Sequence, residues 1–287
     1  MVNLSRNHHY VPKCLSKHFV SPKGFLHGYI VGERRFVRRV PKKMFCEQDL
    51  HAQVDRAGRV DDLVEQEVGK IETVAAPIIR RVIDAARASR HPGLNPLERA
   101  NWDKFFYLQW KRVPDFFKRS GIHQELNKPL EDLIAEYEQE VGVLSDDQRA
   151  IWLRPEQAAR FRQNVRAKTI ARLNEPALNV LASRGLAVVR FKAGERLLLG
   201  SNPVVKLAPG HTSDLRRHEV EAWLPIAPDV MVGVGTDPGT ELYVEPGDIK
   251  SAGEINDAIL RQSSIIASSS QDGLYPTISR LAANSVV

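Results

Sequence analysis

The densest reactive chemistry stands near the start of the sequence, in Asn7-His8-His9-Tyr10-Val11-Pro12, with Cys14 and His18 just beyond. Imidazole is the side chain that changes charge near neutrality, so His8 and His9 are candidates for a general base or a metal ligand. Val11 precedes a proline and is pushed towards extended dihedrals. Pro12 suits the first turn of a helix, where its missing N–H costs nothing. If residues 7–11 are extended, His8 and Tyr10 face one side and His9 and Val11 the other. That alternation argues against both imidazoles binding one ion. The plainer expectation is one histidine hydrogen-bonded inside and one solvated.

Three further groups carry chemistry. Glu65 and Glu72 are seven residues apart, two helical turns, at the edge of an apolar stripe. Such a pair is either an acid–base or metal site or a solvated rim. Gln109 projects into the middle of an aromatic helical face, with Arg112 at its edge. A buried amide has to be hydrogen-bonded or it costs several kcal/mol, so Gln109 and Arg112 either line a polar pocket or bond a neighbouring backbone. Ser201 and Asn202 lie in the turn Gly200-Ser201-Asn202-Pro203.

The elements that must position these groups fall into three parts. Residues 1–60 hold the histidine motif, a first short helix, and a hairpin of Phe25 to Val31 with Phe36 to Val40. Residues 61–185 are helical. One long helix runs from Asp61 to about Ser89 with a kink near Pro77, and an aromatic-faced helix starts near Leu97 and ends or bends at Pro114. A helix follows from about Leu126 to Glu140, then one capped by Asp146, and a basic one from Glu156 to Ser183 interrupted at Pro176. Residues 186–287 turn to strands: 186–191 and 196–199 as a hairpin, 204–207, 220–224, 230–234 and 242–244. Residues 208–218 are a polar loop with His211 and His218. A last helix spans 246–268, and a loosely docked tail follows. The expected class is α+β: a helical middle region, an N-terminal hairpin and a C-terminal antiparallel sheet closed by a helix. All 287 residues are expected to form a single α+β domain, since an isolated two-stranded hairpin is marginal.

Composition narrows the class. With 43% hydrophobic and 26% charged residues the chain is of ordinary globular type. No apolar run approaches the roughly 18 residues that span a bilayer, and the N-terminus lacks a signal-peptide core. A cytoplasmic protein without membrane partners is expected. Cys14 and Cys46 form no CxxC spacing, so neither a zinc knuckle nor a disulfide scaffold is implied. The net charge of +6 is uneven: residues 1–50 carry ten Lys/Arg against three Asp/Glu. Arg34, Arg35, Arg38, Arg39, Lys42 and Lys43 make the densest cluster, a candidate surface for RNA or DNA. A second basic stretch holds Arg160, Arg162, Arg166, Lys168 and Arg172.

Four stretches together carry a family resemblance: His8-His9-Tyr10-Val11-Pro12 with Leu15 and Phe19, Glu65 with Glu72, Gln109-Trp110-Lys111-Arg112-Val113-Pro114, and Leu198-Leu199-Gly200-Ser201-Asn202-Pro203-Val204. With Pro225 and Asn256, they make the chain resemble the bacterial domain-of-unknown-function family 4238 over nearly its whole length. Members commonly carry Ser-Asp-Asn-Pro where this sequence has Gly200-Ser201-Asn202-Pro203, so Ser201 stands where an acid is usual. The resemblance implies an architecture and candidate residues, not a reaction.

One expected function is a nucleic-acid-cleaving hydrolase, in the setting of a toxin or phage-defence effector. His8, His9, Glu65, Glu72, Gln109, Arg112, Ser201 and Asn202 would then converge on one cleft. A histidine would serve as base or ligand, the glutamates would hold a divalent metal (Mg or Mn), and Arg112 would stabilise phosphate charge. The rivals are a non-catalytic nucleic-acid- or partner-binding protein, and a sensor of a small anionic ligand beside Arg112. Geometry separates them: convergence around an opening favours enzyme or sensor, and scatter favours binding alone. No P-loop, HExxH or GxSxG occurs.

Overall fold

Strands from both ends of the chain meet in one sheet, and this governs the architecture. A computed structural model of the protein describes residues 6–55, 58–119, 130–208, 214–235, 241–244 and 251–284. The chain opens with β1 (Asn7–His9), a one-turn α1 (Lys13–Ser16) and a 3₁₀ turn at Lys17–Phe19. Pro12 is the N-cap of α1 rather than its first helical residue. Leu15 and Phe19 are fully buried, as their shared face requires.

The expected hairpin forms from β2 (Leu26–Ile30) and β3 (Arg35–Arg39). Arg34 takes a positive φ in its turn. A 3₁₀ turn at Pro41–Lys43 leads to β4 (Cys46–Gln48), which returns antiparallel to β1 and pairs His8 with Glu47 and His9 with Cys46. Two short strands, β5 (Gln53–Val54) and β6 (Val60–Asp61), precede the long helix.

The helical region begins with α2 (Leu63–Arg87), which carries Pro77 inside it and buries Val64, Val68, Ile78, Ile79 and Val82. Next is α3 (Pro96–Lys111), which opens on a reciprocal capping box of Asn95 and Glu98 and buries Trp102, Phe105 and Phe106. Arg112 is its C-cap, and Pro114 starts α4 (Pro114–Arg119). There follow α5 (Leu130–Glu140) and α6 (Asp146–Trp152). The expected start near Leu126 lies outside the described residues. Ser145, not Asp146, caps α6, because its shorter side chain accepts from the Gln148 N–H in a capping box. The expected basic helix is two: α7 (Pro155–Ala171) and α8 (Glu175–Ser183), the latter capped afresh by Asn174.

In the strand-rich part, β7 (Leu186–Arg190) does not hairpin with the segment after it. Gly194 allows the expected turn, but the chain then crosses to another sheet, where β8 (Leu199–Gly200) lies. After β9 (Val205–Leu207) come β10 (Glu221–Ala227), β11 (Val230–Val234) and β12 (Glu241–Val244), in the order β12-β7-β11-β10-β9. This sheet is antiparallel except where β12 joins β7 in parallel. The loop around His211 lies outside the described residues.

The expected last helix is shorter, α9 (Ala252–Gln262), and Ile265–Ser268 is a strand, β13. It pairs with β2 on one side and β8 on the other, giving the sheet β3-β2-β13-β8. The last described element is a helix, α10 (Tyr275–Asn284), in place of the expected loose tail.

Alternation along the five-stranded sheet divides the core. Leu186, Val188, Val230 and Val232 face α2, α3 and the N-terminal motif. Ala187, Val189 and Met231 face α9 with Tyr29 and Ile266. The histidine motif therefore sits where the helices and the first sheet face meet.

Candidate active site

The extended backbone of β1 turns His8 inward, where it is 1% exposed. After β4 the chain reverses through Asp49, which takes a positive φ (55°) that aspartate tolerates. The Asp49 N–H donates to the Arg6 carbonyl and the Ala52 N–H to the Asp49 carbonyl. This reversal brings His51 against His8. The His51 main-chain N–H donates to His8 Nδ1 (2.9 Å), and the two rings lie 5.5 Å apart. From the outer side, Gln163 on α7 donates to the carbonyls of Asp49 and Ala52.

Helix α2 supplies the carboxylates. Glu65 Oε2 contacts His51 Nδ1 at 2.7 Å, and Glu72 Oε1 accepts from Arg112 Nη1 at 2.6 Å. Two turns of α2, about 10 Å of rise, separate them. Both remain about a quarter exposed (25% and 24%), whereas His51 and Arg112 are fully buried, so the site meets solvent on its carboxylate side. The two glutamates have different partners, Glu65 an imidazole and Glu72 a guanidinium. One donor-type atom from each of His8, His51 and Glu65 lies within 4.8 Å of the others, a spacing that can hold a cation.

Arg112 sits at the end of α3 because Pro114 disfavours helical dihedrals at Val113, and a new helix, α4, starts at the proline. Its Nε donates to the Tyr10 carbonyl at 2.8 Å. Its Nη2, although buried, has no hydrogen-bond partner among the described residues. Gln109, one turn earlier and fully buried, likewise has none for either amide atom. The bland expectation, a backbone bond to a neighbouring helix, is therefore not met.

His9 lies on the opposite side of β1 from His8, yet it is not simply solvated. It is half-buried, it bonds the Lys42 main chain, and its Nε2 is buried without a partner among the described residues. Burial, aided by the Lys13 charge, lowers its pKa, while the charges of Glu65 and Glu72 oppose that shift. Burial lowers the His51 imidazole to about 4 in spite of Glu65. Burial also works against the Glu65 carboxylate, but its hydrogen bond to His51 and the fields of His51, His8 and Arg112 prevail, and its pKa is lowered. We read the pair as a neutral imidazole beside an ionised carboxylate.

Ser201 and Asn202 belong to a separate knot. Ser201 Oγ donates to Asp115 Oδ2 (2.6 Å) and accepts from the Ser264 and Ile265 N–H groups. The Asn202 N–H donates to Ser263 Oγ at 3.2 Å, and Asn202 Oδ1 has no partner among the described residues. The knot fastens α4 to β8 and β13, and the Asp115 charge is felt at Tyr10 of the first cluster. Asp115 thus brings a carboxylate to Ser201.

The basic cluster is exposed at all six positions. Arg35 pairs with Glu33 and Arg38 covers the Phe25 ring at 5.0 Å. Arg39 donates to the Lys43 carbonyl, and its charge reaches Tyr10 and Cys46. The Lys42 end adjoins His9, so this surface runs up to the site. The second basic stretch is partly spent on structure: Arg160 Nη1 donates to the Asp55 carbonyl, and burial lowers the Arg166 pKa.

Sequence reasoning reached His8, His9, Glu65, Glu72, Gln109 and Arg112 but missed His51 and Asp115. The only sequence signal for His51 is an apolar neighbour on each side, Leu50 and Ala52, within a polar stretch. For Asp115 it is an acid following Pro114 in a first helical turn.

A family model described as "Protein of unknown function (DUF4238)" matches residues 7–272. No curated protein and no solved structure matches the chain.

Proposed function

We propose that in this chain, which belongs to the DUF4238 family, the N-terminal cluster hydrolyses phosphodiester bonds in RNA or DNA. The observation that carries this reading is Arg112: a fully buried guanidinium with one N–H group unclaimed among the described residues, beside two imidazoles and two carboxylates. Guanidinium N–H groups match phosphate oxygens in geometry and charge. In a water-poor site such donors favour the charge that builds on phosphorus-bound oxygens. Gln109, one turn away on the same helix face, supplies a neutral donor and acceptor.

His9 is the base in this reading. Its Nε2 lone pair is unclaimed among the described residues, and its lowered pKa keeps it unprotonated at neutral pH. It takes the proton of a water whose oxygen attacks phosphorus, and the displaced sugar oxygen leaves as the P–O bond breaks. Arg39, Lys42 and Lys43 hold the flanking backbone, which carries charge but no sequence information.

The test is cleavage of labelled single- and double-stranded RNA and DNA with Mg²⁺, Mn²⁺ or chelator. His9→Ala should lower the rate at least a hundredfold while the circular dichroism spectrum is unchanged. Unaltered cleavage by that variant removes His9 from the mechanism. Salt-sensitive binding without cleavage favours the second reading, a nucleic-acid-binding protein, which the six exposed cations of the hairpin support.

A further inference from the structure

Arg112 takes Glu72, whereas Glu65 faces two imidazoles. We infer that His8, His51 and Glu65 form a binding site for one divalent transition-metal cation of the zinc class. The catalytic meaning of this site rests on the hydrolase reading; its geometry does not.

Two observations converge. First, His8, His51 and Glu65 each bring a ligand-type atom within 4.8 Å of the other two, from three separate parts of the chain: β1, the Asp49 reversal and α2. Second, His51 is fully buried, and its Nε2 has no partner among the described residues. Its Nδ1 lies 2.7 Å from Glu65 Oε2, so these two ligand-type atoms already face one another. A buried ring nitrogen without a partner is costly to keep.

The donor set selects the metal. Two imidazole nitrogens and one carboxylate oxygen suit zinc, and also manganese, iron or cobalt. Magnesium prefers all-oxygen surroundings and keeps its water. Glu65 lies on the side that meets solvent, so positions not filled by protein open towards water or a substrate oxygen. The two hydrogen bonds that now join the three residues, His51 N–H to His8 and His51 Nδ1–H to Glu65, are the contacts that a bound cation replaces or lengthens.

The experiment is calorimetric titration of the chelator-treated whole chain with ZnCl₂, MnCl₂ and MgCl₂ in turn, with no nucleic acid present. One equivalent of zinc per chain is expected, bound at least a hundredfold more tightly than magnesium. Glu65→Gln should weaken zinc at least tenfold. Because His51→Ala removes a fully buried group and endangers folding, Co²⁺ titration of the unaltered chain provides an independent readout. Visible d–d bands should appear and saturate at one equivalent, and zinc should abolish them. A Cys14→Ser/Cys46→Ser control should bind zinc as the parent does. Absence of stoichiometric zinc binding, or equal affinity in parent and Glu65→Gln, overturns the site. Zinc binding without cleavage of any polymer overturns the hydrolase reading and leaves the site standing.

Discussion

Arg112 Nε donates to the main-chain carbonyl of Tyr10 at 2.8 Å, joining the end of α3 to the residue after β1. The same guanidinium holds Glu72 at 2.6 Å, so one buried side chain ties the histidine strand to two helices. Arg112 is thus both the proposed phosphate donor and a structural clasp.

Arg112→Met keeps much of the buried volume but leaves the Glu72 carboxylate and the Tyr10 carbonyl without their donor. Removing one partner of a buried pair costs about 3 kcal/mol. Urea unfolding should register that loss, and adding Glu72→Gln should recover about 1 kcal/mol of it. Purely additive effects would show that the pair is not coupled.

Ser201 offers a sharper test. Ser201→Ala deletes one donor to Asp115, while the Ser264 N–H and Oγ still point at that carboxylate. The expected cost is about 1 kcal/mol. Ser201→Asp places a second carboxylate against Asp115 and should cost more than the alanine at neutral pH. Asp115→Asn in the Ser201→Asp background should restore stability, because it removes one of the two charges. A Ser201→Asp protein as stable as its parent would mean that Asp115 does not lie against position 201.

His18 gives the pH dependence. Burial, with the charges of Lys17, Arg87 and Arg80, lowers its imidazole to about 4, and only Asp84 opposes them. The unfolded chain titrates at about 6.5. Between these values the unfolded state binds the extra proton, so stability rises with pH. The contribution of His18 is fully present above about pH 6.5 and is lost as the pH falls towards 4. Melting temperatures across that window should fall less steeply in His18→Gln. Parallel curves for the two proteins would contradict the assignment.

Gly200 is fixed by its surroundings. A Cβ there would meet Ser263 Oγ at 2.3 Å, Ile259 Cγ2 at 2.9 Å and the Asn202 carbonyl at 3.0 Å. Gly200→Ala should destabilise by about 2 kcal/mol, read as a lower urea midpoint with an unchanged slope. A cost below a few tenths of a kcal/mol would mean that α9 yields easily at this contact.

Local pattern made α2 and α3 legible, since their apolar stripes and the Asn95 cap are contained in the sequence itself. It exposed His8, Glu65 and Arg112 because each stands out against its own segment. His51 was hidden because its place is set by the Asp49 reversal and by Gln163, which lies 114 positions beyond Asp49. The strand Ile265–Ser268 read as helix because Ile266 continues the apolar spacing of Ile255 and Ile259. Only pairing with β2 decides otherwise, and no local signal carries that pairing. The segment 196–199 failed for the same reason: its turn is real, yet the partner strand that won is β13.

That central position of β13 sets an order of events during synthesis. Strand β2 has its inner neighbour only once residue 268 has been made, so the sheet that carries the basic hairpin cannot close on a shorter growing chain. Contacts this distant in sequence form late.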